Sequence, residues 1–392
     1  MENMENSIFD KVVDRNQTYS IKWDALDKVF GREDILPMWV ADMDFLPPKA
    51  VLDALKERID HGIFGYTFVP MSVTEAIQDW MKQRHDCEFK KSSILFSEGV
   101  VPSISTAIRA FTEKGDKVLI HSPVYTPFFN MVKKNDRMLV TSNLLIENGR
   151  YELDFADLEA KLQDDVKLFI LCNPHNPGGR VWTKDELEKI GDLCVKYNVL
   201  ILSDEIHSDL VFKPNVHIPI ASIKQEFKKI TATFIAPSKT FNLAGLQASA
   251  ALIPNKELKA KFKAVQDQQG FFTLNTFAIA GMEAAYLNGA EWLEQLLAYL
   301  DENMNITTNF IAEHLPALKP MKADATYLLW IDCRGLGLSD EEIQKQLLEK
   351  GKLGLEPGTK YGEGGEGFVR MNLACPRETL NDGLQRLKKA FS

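Results

Sequence analysis

This chain of 392 residues has no basic run, no long apolar run and no metal-ligand spacing. Each absence removes a class of function. Lys and Arg total 46 against 55 Asp and Glu, a formal net charge of −9. With no basic stretch, nucleic acid and anionic membranes are not expected as partners. No apolar segment approaches the ~20 residues of a membrane helix. The seven histidines show no spacing such as HExxH, so no metal site is expected. Cysteine is scarce and odd in number: Cys87, Cys172, Cys194, Cys333 and Cys375, with no CxxC pair. That usage reads as reduced, structural thiols in a cytoplasmic protein. The opening MENMENSIFD is polar and acidic, unlike a secretory signal. No internal repeat or low-complexity linker is visible.

What is present is a regular alternation. Short apolar runs, KVLIH (117–121), KLFILC (167–172), VLILS (199–203), KITATFI (229–235) and ASAALI (248–253), are separated by helical patterns. In TKDELEKIGDLCVKY, Thr183 and Glu186 form a capping box, and Leu187, Ile190, Leu193, Cys194 and Tyr197 keep helical spacing. Nearly continuous apolar strands between helices predict a mostly parallel sheet covered on both faces. From about Asn288 the character changes. A long helix over 292–315 leads to YLLWID (327–332), an acidic helix over 339–351, a glycine-rich loop, FVRMNL (368–373) and a last helix, which together read as a smaller α+β unit. GEGGEG (362–367) matches GxGxxG but precedes a strand instead of following one, so it reads as a flexible loop and not a nucleotide site.

In open parallel sheets, ligands bind beyond the carboxyl ends of the strands. The polar residues lie there: SEGVVPS with Gly99, SPVYTPF with Tyr125, NPHNPGG with Asn176, SDEIHSDL with Asp204 and APSKTF with Ser238 and Lys239. The set suits pyridoxal 5'-phosphate. Lys239 supplies the amine for a Schiff base. Asp204 keeps the pyridine nitrogen protonated, so that the ring acts as an electron sink. Asn176 donates to the phenolate oxygen, Tyr125 stacks on the ring, and the helix after Gly99 with Ser238 holds the phosphate. Singly, each has a plainer reading as turn residue, helix cap, packing aromatic or solvated cation. Their joint order, each just after a strand, favours the site.

These motifs resemble the fold-type I pyridoxal-phosphate enzymes, the aspartate aminotransferase superfamily, over nearly the whole chain. MWVADMDF (38–45), FGYT (64–67), PVYTPF, DEIHSDL, SKTFNLAGL and TYLLWIDCR (326–334) are similar to the carbon–sulfur lyases related to cystathionine β-lyase, the MalY/PatB group. The resemblance implies an α/β large domain with a mostly parallel seven-stranded sheet at 46–288. It implies a smaller α+β domain at 289–392, joined by the N-terminal segment 1–45. It assigns Lys239 the covalent link and the general base, Asp204 the pyridine nitrogen, Asn176 the phenolate oxygen and Tyr125 the stack. His207 stands where aminotransferases usually place a tyrosine. The amides of Val100 and Val101 join Ser238 on the phosphate, and Tyr66 reaches the phosphate of a second subunit, implying a homodimer with shared sites. Arg370 clamps the substrate carboxylate, with the Ala41 amide beside it.

The implied activity is α,β-elimination of L-cystathionine or a related S-substituted L-cysteine to thiol, pyruvate and ammonia. Amino transfer is the alternative, since the catalytic set is nearly the same. Histidine in DEIH and Gln247, where many aminotransferases carry an arginine for the phosphate, favour the lyase. A non-catalytic cofactor-binding regulator is a third reading. It is disfavoured by the lack of a basic DNA-binding segment and by the presence of Lys239.

Overall fold

The computed structural model describes residues 7–392. Seven strands build the central sheet: β1 (Ile94–Ser97), β2 (Lys117–Ser122), β3 (Met138–Asn143), β4 (Val166–Cys172), β5 (Leu200–Asp204), β6 (Thr231–Ile235) and β7 (Ser249–Leu252). Their order is β1-β7-β6-β5-β4-β2-β3. The pairs β2–β3, β2–β4, β4–β5 and β5–β6 are parallel, whereas β7 runs antiparallel to both neighbours. The main helices are α1 (Lys49–His61), α2 (Met71–His85), α3 (Val100–Phe111), α4 (Lys184–Lys196), α5 (Thr276–Asn288), α6 (Ala290–His314) and α7 (Arg377–Phe391).

The strands are apolar on both faces because both faces are covered. Leu119, Phe169, Leu171 and Ile201 pack with Leu187, Ile190 and Cys194 of α4. The alternate residues Val118, Ile120, Leu168, Ile170 and Leu202 pack with Ile104, Ala107 and Ile108 of α3. Each such aliphatic or aromatic side chain contributes about 1.5–3 kcal/mol on burial. The capping box of α4 forms as its sequence requires. Thr183 accepts from the Glu186 amide, and the Glu186 carboxylate takes the Thr183 amide at 2.7 Å. Within α4, Gly191 is needed for close approach, since a Cβ there would lie 2.3 Å from the Phe227 ring.

A second sheet, β8 (Lys319–Pro320), β9 (Leu328–Asp332), β10 (Glu356–Pro357) and β11 (Phe368–Asn372), is antiparallel with order β8-β9-β11-β10. The N-terminal segment lies against this part of the chain. Leu36–Pro37 pairs in parallel with Leu353–Gly354, and the Asn372 side chain donates to the carbonyls of Val40 and Asp42, both at 2.6 Å.

Three expectations need correction. Lys229 and Ile230 end a helix (Gln225–Ile230), so β6 starts at Thr231. The helix expected over 339–351 is α-helical only for Asp340–Gln346, then widens into a π-helical turn over Leu347–Gly351. The glycine loop is packed and not loose: a Cβ at Gly362 (φ +90°) would lie 2.4 Å from the Phe129 ring, and Ser122 Oγ donates to the Glu363 carbonyl at 2.8 Å. All five cysteines are free and buried, and burial pushes every thiol pKa up.

Candidate active site

Because β4, β5 and β6 are adjacent and parallel, the segments leaving their carboxyl ends converge. A cavity of about 200 Å³ opens there, lined by Cys172 at the end of β4 and Asn176 beyond it, Asp204 at the end of β5 and His207 beyond it, and Ser238 and Lys239 after β6. Gly99, Val100 and Val101 enter from the start of α3, and Tyr125 from the segment after β2. The N-terminus of α3 has no side-chain cap, so its first amide N–H groups are free to take an anion from the cavity. Gln247, in a left-handed backbone conformation (φ +56°), lines the same cavity.

The opposite wall is the MWVADMDF segment, held as a rigid strap. Buried Lys22 meets Asp44 at 2.6 Å, and Arg15 bonds Asp44 and Asp42, each at 2.8 Å. Trp23 Nε1 donates to Asp44 at 3.0 Å. Burial alone would raise the Asp44 carboxyl pKa, but the charge and hydrogen bond of Lys22, with Trp23 and Arg15, hold it below the usual range. Between these anchors the Ala41 carbonyl points inward, accepting from Lys239 Nζ at 2.6 Å and from the Tyr327 hydroxyl at 2.9 Å.

The electrostatics fit a cationic ring nitrogen, a ring oxygen and a phosphate. Asp204 is buried; one oxygen takes the Ile206 amide at 3.1 Å, and the other has no donor among the described residues. Burial, with Glu205 adding, pushes its pKa up to about 7, against the Ile206 bond and Lys239. A pyridinium N–H would supply the missing donor and the missing positive charge. Burial, then the Arg370 charge, lowers Lys239 to about 8, with Asp42 and Asp204 opposing, so a neutral amine is accessible near physiological pH. His207 is lowered to about 3 by burial, Lys239 and Arg370, and is therefore a neutral imidazole. The residues present thus suit pyridoxal phosphate.

Without the cofactor, the buried carboxylate is a liability. Asp204 ionises near ~3.9 in an unfolded chain. Its stabilising contribution is therefore complete in acid and is lost as pH rises through about 7. At about 1.4 kcal/mol per unit, the full loss approaches ~4 kcal/mol above neutrality. Asp204→Asn should raise the stability of the cofactor-free protein, by ~2–3 kcal/mol more at about pH 8 than at about pH 5. Thermal or urea melts at the two pH values check this; an equal change at both would contradict it.

Of the residues expected at the site, Ala41, Val100, Val101, Tyr125, Asn176, Asp204, His207, Ser238 and Lys239 all line the cavity. Arg370 stands behind it, buried, donating to Asn176 Oδ1 and to the Trp39 carbonyl, both at 3.0 Å. Tyr66 is not part of the cavity within one chain. It is 104% exposed, in a segment where Ile63, Phe64 and Phe68 are also exposed. Sequence reasoning missed Cys172, whose thiol accepts the Asn176 amide, and Tyr327, which shares the Ala41 carbonyl with Lys239. Tyr361, just before the glycine loop, is buried with the Arg370 guanidinium 5.3 Å from its ring centre. The only signal for Tyr327 was an aromatic just before a strand.

Comparison with known proteins supports the same fold and cofactor. The chain is 52% identical over 385 residues to cystathionine beta-lyase PatB of Bacillus subtilis (strain 168), covering 98% of this chain and 100% of that protein. Cystalysin of Treponema denticola, whose crystal structure contains a pyridoxal 5'-phosphate cofactor, superposes with a TM-score of 0.95 at 35% identity, covering 97% and 98% of the two chains. The pyridoxal-phosphate-bound C–S lyase of Staphylococcus hominis gives 0.92 at 34% identity, with 98% of each chain covered. The family model for aminotransferase class I and II matches residues 33–387. The chain belongs to the aminotransferase class I and II family.

Proposed function

We propose that this protein is a pyridoxal-phosphate-dependent carbon–sulfur lyase that cleaves L-cystathionine or a related S-substituted L-cysteine to a thiol, pyruvate and ammonia. The observation that carries this reading is the cavity in which Lys239, Asp204 and the uncapped start of α3 face one another. Full-length similarity to a cystathionine beta-lyase supports it. The bound cofactor supplies an electron sink for the pair left when Cα–H breaks.

The chain's own groups do the rest. Lys239 Nζ, neutral above about pH 8, takes the Cα proton as general base. The Asp204 carboxylate would keep the pyridine nitrogen of the bound cofactor protonated. Asn176 Nδ2 is free to donate to the phenolate oxygen, since its Oδ1 is held by Arg370. The Val100 and Val101 amides and Ser238 Oγ would hold the phosphate, and Tyr125 would pack on the ring. Arg370, with the Ala41 backbone beside it, receives the substrate carboxylate. Among the described residues lining the cavity Lys239 is the one cation, so the phosphate dianion needs a further donor. Tyr66 of a second copy supplies it in a homodimer with shared sites, a reading supported by the exposed apolar segment around Tyr66. Five buried free thiols fit a reducing, cytoplasmic setting.

The deciding assay uses cofactor-loaded protein with L-cystathionine and no keto acid. Stoichiometric pyruvate and thiol are expected. Amino transfer on adding a keto acid, with no pyruvate in its absence, would instead assign an aminotransferase.

A further inference from the structure

The turn after β5 sends its side chains two ways. Asp204 and His207 face the cavity, whereas Glu205 and Asp209 enter a buried polar network on the other side. The turn is closed by the Ser208 amide on the Glu205 carbonyl at 2.9 Å and the Leu210 amide on the His207 carbonyl at 3.0 Å. Glu205 accepts from Ser203 Oγ at 2.8 Å and pairs with His217 Nε2 at 2.9 Å. Asp209 Oδ1 takes Trp80 Nε1 at 3.0 Å, lies 2.8 Å from His85 Nε2 and 3.4 Å from Arg84 Nε. The two halves meet where the His85 and His217 rings lie edge to face, 5.2 Å apart.

The remaining oxygen of Asp209 reaches the segment that carries the candidate catalytic amine. Thr240 Oγ1 donates to Asp209 Oδ2 at 2.8 Å, and both residues are buried. Thr240 is the residue after Lys239 in a helical turn of four residues, Pro237–Thr240. So short a turn has little hydrogen bonding of its own to fix its orientation. Its direction must come from outside, and a hydroxyl bonded to a buried, multiply held carboxylate supplies it. Asp209 is itself fixed by α2, through Trp80, His85 and Arg84, so the bond ties the Lys239 turn to that helix.

We propose that Asp209 is a positioning residue for Lys239, acting through the Thr240 hydroxyl to aim the amine across the cavity. The inference rests on the assignment of Lys239 made above. A misplacement of about 1 Å in a reacting group can lower a rate by roughly 10²-fold, so loss of one tether is expected to matter in turnover more than in binding.

The test compares Thr240→Val, which keeps the shape and removes the donor, with Thr240→Ser, which keeps the donor, in cofactor-loaded protein. For Thr240→Val the expected result is a kcat roughly tenfold lower with KM within about twofold, and an altered visible circular dichroism band of the bound cofactor. Thr240→Ser should restore kcat and the band. Asp209→Asn, which weakens the acceptor, should shift both in the direction of Thr240→Val. A merely structural role would lower the melting temperature and leave the band unchanged. Parental kcat and band in Thr240→Val overturn the proposal. If the valine variant does not fold, Thr240→Ala is read against Thr240→Ser in the same way. Failure of the parent protein to bind pyridoxal phosphate would instead defeat the assignment of Lys239, so the two ideas fail separately.

Discussion

Replacing Lys239 by alanine is expected to lower kcat for L-cystathionine cleavage by at least roughly 10²–10⁴-fold, the factor that a positioned general base contributes. The covalent hold on the cofactor goes with it, so dialysis should remove the visible absorption band from the variant but not from the parent. The fold should survive. Burial holds the amine down to about 8, so in the cofactor-free protein its protonated form is destabilised and its removal relieves a cost. Steady-state kinetics, an absorption spectrum after dialysis and a thermal melt together check the prediction. A small primary amine added to the variant should recover part of the proton transfer. Activity above a tenth of the parent, with the band retained, would take the central role away from Lys239.

The second large effect concerns Arg370. Its guanidinium is buried, bonded to Asn176 Oδ1 and the Trp39 carbonyl, and its Nε has no partner among the described residues. That leaves donor capacity for a carboxylate. Arg370→Ala is expected to lower kcat/KM by roughly 10²–10³-fold, on the scale of truncating one partner of a buried charge pair. Most of the change should fall in KM, because the carboxylate is held equally before and during reaction. Arg370→Lys should recover little, since an ammonium lacks the planar fork. The same substitution frees Asn176 Oδ1, so the cofactor spectrum should shift as well. Kinetics with intact substrate and with a decarboxylated analogue check the assignment: if Arg370 holds the carboxylate, the variant discriminates little between the two.

Much of this site was legible in the chain because strand ends can be read locally. Apolar runs such as KLFILC and VLILS mark buried parallel strands, and the topology rule then points to the residues that follow. Asn176, Asp204 and Lys239 therefore came from order alone, and the structure gathers them around one cavity. The residues missed are those placed by long-range packing. Tyr327 reaches the Ala41 carbonyl from a sequence distance of 286, and nothing in either local stretch announces the contact. Asp209 stands within DEIHSDL with nothing local to mark it, and helix α2 and the Lys239 turn both close on it. The glycine loop misled for a related reason. Its composition suggests freedom, but the Phe129 ring and the Gly358 carbonyl leave no room for a Cβ at Gly362 and Gly365, and Gly364 sits at φ +84°.

The five buried cysteines have a practical side. A lyase of this kind fills its surroundings with small thiols, and their oxidised forms exchange with whatever thiolate they can reach. Here each sulfur is covered and each thiol is held above its ordinary pKa. Four of the five sulfurs are thereby kept from the product; Cys172, in the cavity wall, is protected by its raised pKa, which keeps the thiol protonated. The native chain should also be silent to maleimides, so a single cysteine introduced at an exposed position would be a clean attachment point for a spectroscopic label.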